Sequence, residues 1–188
     1  MEIIEYNGHM LKVLQKGAKI LGQAADEIPL TKISNAKIKK IILQMKDILA
    51  NTSDAVALAG PQIGQSLRIF IVSKRMLEKD ETGNPDKHDL VFINPKITKA
   101  SKEKQWLEEG CLSVRGIYGK VRRCKKVTLR AFDENGKIFS LGASGLLAQI
   151  FQHEIDHLNG ILFDSKAKNI RLENTPTKTT PKKSLNNI

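Results

Sequence analysis

Between residues 35 and 50 Ile38, Ile41, Ile42, Met45, Ile48 and Leu49 fall at helical spacing, with lysines opposite. Three-and-four spacing of this kind puts one apolar stripe along a helix, so the segment predicts an amphipathic helix laid on a core, capped by Ser34 or Asn35. The period then shortens. "LRIFIVS" from Leu67 and "LVFINPKIT" from Leu90 are runs of branched and aromatic residues that predict β-strands. Pro95 marks an edge or a bulge in the second, because it has no N–H for a ladder. The stretch between them, "EKDETGNPDKHD", reads as a polar loop. "KKVTLRAF" and "KIFSLGA" flank "DENG", and Asn135-Gly136 between alternating runs predicts a hairpin. After Ser144, a candidate N-cap, "GLLAQIFQHEIDHLN" returns to helical spacing and should stop near Gly160.

Helix, several strands, then helix predicts an α+β fold with antiparallel or mixed β-sheets. A chain of 188 residues holds one domain with a real core. From Lys166 the sequence turns polar and proline-bearing, which predicts a domain over residues 1–165 and a basic polar tail over 166–188. No apolar run approaches the roughly 20 residues of a membrane helix. The N-terminus lacks the secretory pattern of charge, apolar run and small-residue cleavage site. Both features point to the cytoplasm, with an organelle address left open. Two cysteines, Cys111 and Cys124, make no disulfide scaffold in a chain of this length. A formal charge of +11 favours polyanionic partners without naming one.

The second helix carries His153-Glu154-Ile155-Asp156-His157. Residues four apart share a helix face, and at 3.6 residues per turn His157 falls about 40° from His153, Ile150 about 60° and Leu146 about 20°. Two imidazoles and two apolar side chains therefore share one side. Glu154 stands beside it, within reach of a water on an ion held there, while Asp156 points elsewhere and suits a supporting role. His-Glu-x-x-His is a zinc-peptidase signature, but a catalytic ion usually takes three protein ligands. The elongated form of that signature needs a third histidine where this chain has Phe163. A downstream carboxylate leaves Glu173, and an upstream thiolate leaves Cys111 in "LEEGCLSVRGIYG", read as a connection near the strands.

Glu109-Gly110-Cys111-Leu112-Ser113 and Gln152-His153-Glu154-Ile155-Asp156-His157-Leu158 resemble the second and third motifs of the peptide deformylases, both intact. The first motif, Gly-x-Gly-Leu-Ala-Ala-Pro-Gln, is matched by "AVALAGPQIG" with Ala55, Ala57 and Gly60 as departures. The likeness spans roughly residues 35–165. It implies a deformylase-like fold in which β-sheets pack around a central metal-binding helix. It implies Cys111, His153 and His157 as ligands of one divalent ion, usually ferrous iron in the family, with zinc, nickel or cobalt as substitutes. Glu154 would be the general base, and Gln62 and the Leu112 backbone N–H would stabilise the oxygen that gains charge. Val56, Leu112, Leu146 and Ile150 would form the methionine pocket.

The implied reaction is removal of the formyl group from N-formylmethionine of newly made polypeptides, giving formate and a free amine. The expected partners are those formylated chains and, through the basic tail, the ribosome; neither membrane nor DNA is expected, and the chain is expected as a bacterial cytoplasmic monomer. Two other readings stay open at this level: a deformylase-like metal- or ribosome-binding protein with little turnover, and another metallopeptidase. Intact Cys111, His153, Glu154 and His157 favour an active enzyme. Ala55 and Ala57 would tighten the substrate cleft by a methyl group each, and Arg115, in place of a common proline, adds charge near it. Cys124, among Arg122, Arg123, Lys125 and Lys126, reads as a plain thiol.

Overall fold

A computed structural model of the chain describes residues 3–6, 9–77 and 88–173. The strands among the described residues are β1 (Ile3–Tyr6), β2 (His9–Lys12), β3 (Ala57–Ala59), β4 (Ile69–Val72), β5 (Leu90–Ala100), β6 (Lys104–Cys111), β7 (Val114–Cys124), β8 (Lys126–Phe132), β9 (Ile138–Ser144) and β10 (Lys168–Leu172). The helices are α1 (Ala36–Asn51), the single turn α2 (Lys74–Leu77) and α3 (Gly145–Leu158). Strands pair in order β1-β2, β10-β7-β6 and β3-β4-β5-β8-β9, every ladder antiparallel. The fold is α+β, as the pattern implied. The polar loop read over residues 78–89 lies almost wholly outside the described residues, as does the tail beyond Glu173.

The continuous apolar run of β4 follows from burial on both faces. Ile69 and Ile71 pack with α1, through Ile38, Ile41, Ile42, Met45 and Ile48. Phe70 and Val72 face the opposite way and pack with Leu147, Ala148, Ile150 and Phe151 of α3. Phe92 of β5 stacks on Phe70 at 4.5 Å between ring centres, and Phe151 meets both rings. The sheet thus fixes α3 from one side. Helix α1 is capped as expected, with the Asn35 side chain accepting from the Ile38 N–H. Ser144 stands at the N-cap of α3 but makes no capping bond with its side chain. At Pro95 the register of β5 on β8 shifts between Ile93 and Lys96, the bulge that a missing donor predicts. Gly136, at φ 80°, turns the β8–β9 hairpin.

Two elements depart from the sequence pattern. "LEEGCLSVRGIYG" is no connection: it is the end of β6, a two-residue turn and the start of β7. Its alternation is hidden because the outward positions of this sheet are charged and the inward ones include Glu109 and Arg123. Strand β10 lies beyond the boundary at residue 165, hydrogen-bonded to β7. A one-strand addition whose side chains are mostly exposed leaves no apolar period to read.

Candidate metal centre

Helix α3 is held between the two larger sheets, and the site forms where its polar face meets β6. Gln152 clasps the end of β7, donating to the Cys124 carbonyl at 3.0 Å and accepting from its N–H at 2.9 Å. Gln149 donates to the Glu108 carbonyl at 2.8 Å. These side-chain bonds set the height of α3 against the strand that ends in Cys111. The ligand-type atoms of Cys111, His153 and His157 then lie within 4.8 Å of one another. Cys111 Sγ stands 3.1 Å from His157 Nε2. Ligands of one tetrahedral ion stand roughly 3.5 Å apart, so the group has the size of a coordination shell. Its chemistry, one sulfur and two imidazole nitrogens, suits a first-row divalent ion. Glu173 takes no part in it. It lies farther out, accepting from the Tyr118 hydroxyl at 3.5 Å, while its N–H holds the Gly116 carbonyl at 2.9 Å.

A buried charge network orients His153. Its Nδ1 is 3.0 Å from Glu109 Oε2, which leaves Nε2 to face the cysteine. Arg123 binds Glu109 through both fork nitrogens at 2.8 and 2.9 Å and reaches Asp156 at 2.6 Å, and Lys166 meets the other oxygen of Asp156 at 2.6 Å. Burial alone would raise the Glu109 carboxyl, but hydrogen bonds from Arg123 and His153 hold it down at about 2. His153 is pushed down by burial, yet its bonds to Cys111 and Glu109 leave it well above the usual histidine range. His157 is driven well below that range by burial and by its histidine neighbour. Glu109 and Arg123 in these roles escaped sequence reading. The available signal was phase: in β7, Val121 and Arg123 share the inward side, so Arg123 is a cation at a core position.

Glu154 is 4% exposed and lines a cavity of ≈ 420 Å³ beside the donor group. Its Oε2 has no hydrogen-bond partner. Burial, with the Glu109 charge adding to it and His153 opposing, pushes this carboxyl up to about 7. Gln62, 2% exposed, also lines the cavity. Its Oε1 accepts from the Ala59 N–H at 2.8 Å, and its Nε2 points at Ser113 Oγ at 3.2 Å and Cys111 Sγ at 3.7 Å. Val56, Leu112, Leu146 and Ile150 all line the same cavity. Ile150 is buried; Val56 and Leu146 are exposed, Leu146 at 54%.

Residues 14–16 brace this site, although no sequence pattern marked them. Leu14 N–H donates to Gln62 O at 2.8 Å, Lys16 N–H to Ser113 O at 2.7 Å, and Gln15 Nε2 to Leu112 O at 2.9 Å. The first-motif departures also have local reasons. A Cβ on Gly60 would stand 2.8 Å from the Leu67 carbonyl oxygen, so the chain that packs here leaves no room for alanine. Ala55 and Ala57 border the cavity, and both methyl groups are also built into cores, Ala55 with the α1 cluster and Ala57 with the α3 cluster. Arg115 lines the cavity near Tyr118 and Glu173.

An α+β domain that gathers a cysteine sulfur, two imidazoles and a raised carboxyl at one end of a cavity has the make-up of a single-metal hydrolase centre. The comparisons give the family: the chain belongs to the polypeptide deformylases, whose sequence model matches residues 10–173. It is 38% identical over 165 residues to peptide deformylase 1A of the tomato chloroplast, covering 84% of this chain but 59% of that relative's length. To the peptide deformylase of Borreliella burgdorferi it is 38% identical over 173 residues, 90% of this chain and 91% of the relative. The crystal structure of a Synechococcus elongatus peptide deformylase in complex with actinonin superposes with a TM-score of 0.72 at 34% identity, over 85% of this chain and 81% of that one.

Proposed function

We propose that the chain is a metal-dependent amide hydrolase that removes the formyl group from N-formylmethionine of newly made polypeptides, adding water and releasing formate and a free amine. The observation that carries this reading is Glu154, buried with an unpartnered oxygen, beside the Cys111, His153 and His157 donor group in a cavity with apolar walls. Cys111, His153 and His157 would hold the ion. When bound, it supplies Lewis acidity, polarising a carbonyl and making water more acidic near neutral pH.

The remaining work falls to side chains. Glu154 as carboxylate takes a proton from the attacking water, and as acid it returns one to the leaving amine nitrogen; its unpartnered Oε2 is free for both steps. Gln62 Nε2 and the Leu112 N–H donate to the formyl oxygen as it gains charge. Loss of one such donor typically costs about 3–4 kcal/mol of barrier. Glu109 and Arg123 keep His153 turned toward the centre. Val56, Leu112, Leu146 and Ile150 receive the methionine side chain.

Ferrous iron is the resident ion in this reading, with zinc, nickel or cobalt able to replace it, since a thiolate with two imidazoles accepts each of them. The chain acts as a monomer in the bacterial cytoplasm, and its last residues, with Lys178, Lys182 and Lys183, meet ribosomal phosphate. The test is formate release from a formyl-Met peptide, measured anaerobically with iron or with added nickel, for the native chain and for Glu154→Gln. The variant should keep its metal and lose about 10²–10⁴-fold in turnover. No formate from the metal-loaded native chain would reject the activity, and near-normal turnover of the variant at full occupancy would reject the role of Glu154.

A further inference from the structure

The outer face of the β10-β7-β6 sheet carries the chain's single tryptophan among unpaired cations. Trp106 of β6 is 45% exposed and stands directly opposite Arg122 of β7. Lys104, two residues back along β6, shares that face, as does Lys120, two residues back along β7 and opposite Glu108. Lys168 of β10, paired in register with Lys120, places its ammonium 5.2 Å from the Trp106 ring centre. All four cations are exposed, and none makes an ion pair among the described residues. Glu108 on this face is already taken by Arg171 at 2.6 Å, and Glu173, two residues beyond Arg171, accepts from the Tyr118 hydroxyl. Four cations with no paired acid among the described residues therefore surround one half-open indole.

Within the fold the indole meets the Lys168 ammonium, a contact that helps seat β10, but it leaves Lys104, Lys120 and Arg122 without an ion-pair role among the described residues. The core side of the same strands is filled by Val114, Val121, Phe163 and the Glu109–Arg123 network, so the outward indole is not needed for packing there. Like charges set side by side across a ladder destabilise it, and Lys120 and Lys168 are a directly opposed pair.

We infer that this face binds single-stranded RNA, with a base stacked on Trp106 and backbone phosphates on Lys104, Lys120, Arg122 and Lys168. Every base offers a π-face, and a sheet with an exposed aromatic ring flanked by cations is a form that accepts unstacked strands. Lys120 and Arg122, two residues apart on one strand, stand roughly 7 Å apart, so they can meet separate phosphates. A duplex is disfavoured because its bases are already stacked on one another and leave no free face for the indole. An acidic peptide would satisfy the cations but has no use for the indole. The inference does not depend on the hydrolase reading.

The single tryptophan makes the test direct. The full chain is titrated with a ten-nucleotide oligoadenylate while Trp106 fluorescence is followed, beside a DNA duplex of equal charge, an oligoglutamate and anionic lipid vesicles. Saturable quenching by the RNA alone is the expected result. Trp106→Leu, followed by competition against a labelled strand, should weaken binding about tenfold. Lys120→Ala with Arg122→Ala should reduce the slope of log affinity against log salt by about 1.4, from roughly 0.7 per lost phosphate contact. Because these positions are exposed, unchanged melting of the variants is expected and is checked in the same samples. Absence of quenching, equal response to duplex, oligoglutamate or vesicles, or an unaltered salt slope in the double variant would each overturn the inference.

Discussion

Glu109 is the residue on which the stability of the metal-free centre turns. Its carboxyl lies at about 2 in the folded chain against an ordinary 4.5. A lowered value means the unfolded chain binds the proton first as pH falls. Its contribution, on the order of 3 kcal/mol, is therefore complete above about 4.5 and lost as pH drops toward 2. In chelator-treated protein the unfolding free energy of the native chain should fall across that window more steeply than that of Glu109→Gln, measured by denaturant titration at each pH; equal slopes would contradict the assignment. A second residue, Gly160, ends α3 at φ 72°, and a Cβ there would meet the backbone of Gly22 and Gln23 at 2.7 Å. Gly160→Ala should cost on the order of 2–4 kcal/mol and lower Tm accordingly. At this scale the sequence was legible where chemistry is concentrated in short spacing: His153, Glu154 and His157 lie on one helix. It was silent on Arg123, whose partners Glu109 and Asp156 are 14 and 33 residues away.

Among elements, the loop joining α1 to β3 carries the cavity wall of Asp54, Ala55 and Val56, continued by Ala57 of β3. One side chain from α2 holds it. Arg75 donates to the carbonyls of Leu49 at 2.5 Å, Thr52 at 3.0 Å, Ser53 at 3.4 Å and Ala55 at 3.2 Å. No other described side chain fastens this loop at so many points. Arg75→Ala should let the wall move without touching the donor group. The expected result is a KM for formyl-Met peptides raised about tenfold, a smaller change in kcat and full metal content by elemental analysis. A fall in kcat alone, or loss of metal, would show that Arg75 acts elsewhere. Elements with one buried face, such as α1, or two, such as β4, announced themselves by period. Strands β6 and β7 did not, because their inward positions hold Glu109 and Arg123, and hydrophobic period cannot report an inward charge.

For the whole molecule, the question is where the folded unit ends. Strand β10 adds a third strand to β6 and β7, Arg171 pairs with Glu108, and Glu173 closes the outer end of the cavity. The sequence could not show this, because four of the five β10 side chains are exposed and an edge strand with a solvated face has no apolar alternation. A chain ending at Lys166 keeps the Lys166–Asp156 bond but uncovers the edge of β7 along its cavity-forming half. Its unpaired N–H and C=O groups turn to water, and Tyr118 loses both Arg171 and Glu173. A loss of 1–3 kcal/mol would lower Tm by roughly 2–12 °C in a chain of this size. A chain ending at Glu173 keeps every one of these contacts. It should melt with the full-length chain and turn over a short formyl-Met peptide at the same rate. Thermal melts and formate release from the three chains decide the matter: matching values for all three would mean that β10 is a surface addition, and a defect shared by both truncations would put part of the folded unit beyond Glu173.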